Sequence, residues 1–148
     1  MKNSNNHDLN KQMEELIKNI DHKTCITWAA LCANHVLFYF TQAYPDDKRP
    51  EEAILAANHF VANEIKVPEA RDKAFAAHAA ARSSSNPSAT FAARACGHAA
   101  ATSHVKTHAI NAAKYALRAV AATKDSVLLL EELKWQLETI NELKNSTQ

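Results

Sequence analysis

At 148 residues, with one glycine and four prolines, the chain can fill one packed core but lacks the turn residues of an antiparallel sheet. Its hydrophobic residues (47%) owe little to aromatics (7%) and much to alanine, the best helix former. Seventeen basic and sixteen acidic side chains leave a net charge of +1, which excludes a general field for holding a nucleic-acid backbone. The expectation is an all-α, compact bundle of about seven helices, one domain over residues 1–148 with frayed termini at 1–7 and 144–148.

In chain order, Asp8 is expected to cap the first helix, with Leu9, Met13, Leu16, Ile17 and Ile20 as its apolar stripe. The amino terminus has no apolar core region, which predicts no secretory signal. A second helix follows Thr24 and runs to about Phe40. It is apolar nearly all round and therefore expected to be the central, most buried one. Cys25 and Cys32 lie two turns apart on it, about 10 Å along the axis, too far for a disulfide. With Cys96 they read as buried, reduced cysteines.

The loop Tyr44-Pro-Asp-Asp-Lys-Arg-Pro50 ends in a helix start, because proline suits the first turn and Glu51 and Glu52 favour its positive dipole end. This third helix is expected to reach Ile65. Pro68 and Glu69 repeat the signal for a fourth helix, which runs to about Ser83. Asn86 caps and Pro87 opens the next. The tract from Ser88 to Thr123 is too long for one globular helix, so a break is expected near Thr102 and Ser103, with Ser103 capping the new helix. Asp125 or Ser126 caps the last helix, whose Val127, Leu130, Leu133, Leu137 and Ile140 follow a near-heptad stripe. Arg71, Asp72, Arg82, Arg94, Lys106 and Arg118 keep the alanine segments below membrane-spanning length, so a cytoplasmic protein is expected.

Eight histidines raise the question of metal binding. His104 and His108 stand four apart, but the zinc-protease pattern needs a glutamate directly after the first histidine, where Val105 stands. His98 would face away from His104 on a continuous helix, unless a kink at Ser103 brings it round. No cofactor and no metal are expected; a weak metal or small-molecule site would use His104 and His108. The row His104, His108, Asn111, Tyr115 reads first as a hydrogen-bonded seam between helices, and alternatively as the lining of a cleft. Arg71, Phe75, His78 and Arg82 form a similar row, and Arg94 and His98 a pair. A single glycine excludes both a phosphate loop and a nucleophile elbow, so no catalytic residue is assigned.

Two segments resemble a known family. Trp28-Ala-Ala-Leu-Cys-Ala33, Val36-Leu37 and the Tyr44–Pro50 loop, continuing to Ile54, carry the first half of the likeness. Ala74 to Arg82, Ala95-Cys-Gly-His98 with Thr102 to Ala109, and Asn111 to Ala116 carry the second. Together they resemble the alanine-rich helical immunity proteins of bacterial polymorphic toxin systems, over about residues 26 to 120. The chain departs from the family at Leu31, Asn34-His35 and Lys106-Thr107, where charged residues are common. The resemblance implies a non-enzymatic protein that binds and neutralises a cognate protein toxin, while the balanced charge and short apolar runs predict no nucleic-acid or membrane partner. Asp46, Asp47 and Arg49 in the loop, with His98, His104, His108 and Tyr115, are the expected contact residues. Pairing of the last helix through its leucines would make the chain an oligomerisation module instead.

Overall fold

The computed structural model describes residues 2–146, and in α1 the side chains of Asp8 and of residues 11–18 only. These residues form seven helices: α1 (Lys2–Lys18), α2 (His22–Ala43), α3 (Arg49–Val61), α4 (Val67–Arg82), α5 (Pro87–Ala101), α6 (His108–Ala121) and α7 (Ser126–Ser146). No strand occurs among them. The expected fraying at 1–7 and 144–148, and the side chain of Leu9, fall wholly or partly outside the described residues. α1 begins ahead of Asp8, so Asp8 does not cap it; nothing between Lys2 and His7 breaks a helix.

Most starts follow local chemistry. Asp21 accepts from the Thr24 amide at 2.7 Å and opens α2. Pro50 with Glu51 and Glu52, and Pro68 with Glu69, occupy the first turns of α3 and α4. Asn86 accepts from Ala89 N at 3.1 Å, and Asp125 accepts from the amides of Val127 and Leu128 at 3.1 and 3.0 Å.

Three differences from expectation shape the fold. α3 stops at Val61, because Asn63 takes a left-handed φ of 62°. The Glu64 amide then reaches back to His59 O at 2.9 Å and the Asn63 amide to Phe60 O at 3.0 Å. Asparagine here does the work usually given to glycine. At the second difference, the break after α5, Thr102 Oγ1 donates to His98 O and Ser103 Oγ to Ala100 O. Both hydroxyls close α5 instead of opening a new helix, and α6 starts only at His108.

The third difference concerns the centre. That place belongs to α5, which packs against α2, α3, α4 and α6. Ala89, Ala92, Ala93, Ala95, Cys96, Ala99 and Ala100 are buried on it, so small side chains allow close helix approach on several sides. α2 buries one long face with Cys25, Trp28, Cys32, Val36 and Phe40, but leaves Leu31 and Phe38 exposed. α7 packs chiefly against α6 and α2, where Trp28 Nε1 donates to Gln136 O at 3.0 Å and Gln136 Nε2 to Ala113 O at 3.0 Å. All three cysteines are buried and unpaired.

Candidate functional site

Where α4, α5 and α6 meet, the break after Ala101 turns α6 back along α5. It thereby brings His108 to His98, which a continuous helix would have held apart. Their Nδ1 atoms lie 3.0 Å apart, so one ring donates and the other accepts. His98 also stacks on Tyr115, with ring centroids 5.2 Å apart and planes 9° off parallel. From α4, His78 meets His98 edge-on at 4.9 Å. Arg94, one turn before His98, donates through Nη1 to His78 Nδ1 at 3.0 Å, which leaves the His78 ring proton on Nε2.

Gly97 makes this approach possible. A Cβ there would stand 2.6 Å from His78 Nε2 and 2.7 Å from Cε1, so the ring occupies the space that any other residue would fill. The only glycine of the chain is therefore a cradle for an imidazole.

Burial sets the electrostatics. It lowers His78 to about 4, helped by the charges of Arg94 and Arg82 and by His108. It lowers His98 to about 3, helped by His78, His108 and Arg94. His108 is lowered by burial and then by His104. The three rings are neutral at neutral pH, and their side-chain hydrogen bonds run to one another or to Arg94. None of those bonds reaches a hydroxyl, thiol or carboxylate, so no nucleophile–base pair is assembled here. Burial likewise raises the Cys25 thiol to about 11 and pushes Cys32 and Cys96 well above the ordinary thiol value, which keeps all three protonated.

These shifts fix the sign of the acid response. A folded histidine at about 3 or 4 stays neutral while its unfolded counterpart, near 6.5, takes up a proton. Stability is thus full above pH 6.5 and lost as pH falls towards the folded values. Between pH 7.5 and 5 the unfolding free energy should drop by on the order of 2 kcal/mol, a figure reduced because both rings keep some contact with water. Urea denaturation at the two pH values measures this, and His78→Gln with His98→Gln should flatten the dependence.

The expected contact residues divide into two patches and do not form one site. Where the α2–α3 loop enters α3, Arg49 Nε and Nη2 donate to Asp47 Oδ1 and Oδ2 at 2.9 and 2.7 Å, and the Arg49 amide donates to Oδ1 at 3.1 Å. These bonds hold Asp47 below the usual carboxylate range, through Arg49, and fix the loop on the start of α3. Asp46 beside them is exposed. Tyr44 Oη accepts from the Ser85 amide at 2.9 Å and so ties this loop to the start of α5. His98 lies about 16 Å further along that helix.

His104 does not belong to the expected row. It sits exposed in the α5–α6 connection, ahead of the first turn of α6, and so does not share a helix face with His108. Among the described residues no group of three or more histidine, cysteine, aspartate and glutamate side chains is placed to hold a metal ion. His78 and Arg94 were not among the expected contacts. Their signals were the Arg94–His98 spacing and an isolated glycine inside a helix. Of the α4 row only His78 turns inward; Arg71, Phe75 and Arg82 are exposed.

The decisive comparison is that residues 15–143 match the family described as Imm-5 like putative immunity protein. The chain belongs to that family. No curated protein and no solved structure gives a significant match. For this immunity-family member, the match covers both the loop around Asp47 and the whole histidine cluster.

Proposed function

We propose that this chain is a non-enzymatic immunity protein of a bacterial polymorphic toxin system. In the producing cell's cytoplasm it binds a cognate protein toxin and occludes the toxin's active surface. Family membership over residues 15–143 carries this reading. The geometry supports it, because the polar side chains at the α4–α5–α6 junction are spent on one another and make a rigid body, as fast and tight recognition requires. The contacts are proposed at Asp46, Asp47 and Arg49 on one patch, and at His98, His104, His108 and Tyr115 on the other. Nucleic acid is not a partner of a chain with net charge +1, and no described helix is long and apolar enough to cross a membrane.

Tagged chain captured from its native host, with quantitative mass spectrometry of the eluate, tests this. One stoichiometric partner carrying a toxin domain is the expected result. Bait alone, in cells shown to express the neighbouring genes, would contradict it.

A further inference from the structure

The leucine stripe of α7 does not lie wholly on the body. Ile140 is buried and Leu133 and Leu137 are half-buried, whereas Leu130 is 59% and Val127 66% exposed. The inward face of α7 is instead set by Leu129, Gln136 and Ile140, and this rotation turns Val127 and Leu130 out to the side. Beside Leu130 a groove of about 570 Å³ opens between α6 and α7, with Leu117, Leu129 and Leu133 in its lining. An apolar surface of this kind, continuous with exposed leucine and valine, marks an interaction site more often than a plain surface does.

The charged side chains that line it have one sign. Lys114 and Arg118 stand on the groove, one turn apart on α6, where like charges repel. Neither takes part in an ion pair among the described residues. Arg118 lies 4.8 Å over the Tyr115 ring, and Glu14 of α1 acts on Lys114 only from beyond ion-pair distance. The acids of this part of α7, Glu131 and Glu132, face a separate groove towards α2, where Glu132 meets His35 at 2.7 Å. A second copy of the chain is a poor occupant, because a two-fold contact of this patch with itself would bring four cations together.

We propose that the α6–α7 groove docks an amphipathic, acidic helical segment of a partner protein. Its apolar side chains at helical spacing would cover Leu130 and fill the groove, and its carboxylates would meet Lys114 and Arg118. This surface is separate from the Asp46 loop and adjoins the histidine cluster only where Arg118 covers Tyr115, and the proposal stands whether or not the partner is a toxin.

The probe is a fluorescein-labelled helical peptide of about 16 residues, with leucines along one face flanked by glutamates, and its lysine counterpart. The glutamate peptide should bind with a Kd near micromolar and the lysine peptide about tenfold more weakly. Leu130→Asp, at an exposed position that leaves the melting temperature unchanged, should weaken the glutamate peptide by at least about tenfold. Lys114→Glu combined with Arg118→Glu should reverse the preference between the peptides. Equal binding of the two peptides, or binding untouched by Leu130→Asp, would overturn the proposal. So would a dimer at micromolar concentration that Leu130→Asp dissolves, since the occupant would then be a second copy.

Discussion

Trp28→Ala should lower the unfolding free energy by about 3 to 5 kcal/mol, the largest single loss in the chain. Trp28 is fully buried on α2, and its indole N–H spans to Gln136 O on α7. The Gln136 side chain in turn donates to Ala113 O on α6, so Trp28 and Gln136 together key three helices. Much of the surrounding core is alanine, which offers no long side chain to collapse into the void. Trp28→Phe keeps most of the volume and removes only the hydrogen bond, at an expected cost of about 1 to 2 kcal/mol. Urea denaturation followed by circular dichroism distinguishes the two. A loss below about 1 kcal/mol for Trp28→Ala would show that α7 is not held through this residue.

Gly97→Leu should cost about 2 to 3 kcal/mol, because its side chain needs the space that the His78 ring fills. Gly97→Ala is the more informative change. Alanine gains about 1 kcal/mol of helix propensity over glycine, yet its Cβ would stand 2.6 Å from His78 Nε2 and force the ring off Arg94. The two effects oppose each other, so the single variant should be slightly less stable than the parent. With His78→Ala already in place the clash is gone, and Gly97→Ala should then stabilise by about 1 kcal/mol. A double-mutant cycle should therefore give a coupling of about 1 to 2 kcal/mol between Gly97 and His78. Additive effects would mean that the glycine serves something other than the imidazole.

Local signals made much of the helical outline legible. Asn86-Pro87, Pro50 with its two glutamates, and Asp125 each fix a helix start with groups a few residues apart, and the structure uses all three. The stops were harder, since Asn63 ends α3 through a left-handed backbone that no neighbouring residue announces. The central helix is α5 and not the more apolar α2 for a physical reason. Periodicity measures how apolar a face is, whereas centrality in this bundle depends on how small the side chains are. α5, with alanines and one glycine, admits neighbours on several sides, while the bulkier α2 leaves Phe38 46% exposed.

The site was half legible on the same grounds. His98, His108 and Tyr115 meet, but only because the chain breaks at Thr102 and runs six residues before α6. That length puts His104 in the connection, and no spacing rule for a continuous helix could have excluded it. His78 reaches the cluster from α4 across the gap at Gly97, a tertiary contact for which the sequence offered one mid-helix glycine as its sign.

The role proposed for this chain is to neutralise a toxin by covering it, with no chemistry performed. Titration of the purified cognate toxin's activity with this chain, with intact mass recorded for both proteins, tests that role. Occlusion predicts a linear loss of activity ending at one molar equivalent, with both masses unchanged. Inactivation at a small fraction of an equivalent, a changed toxin mass, or undiminished activity at excess would contradict it.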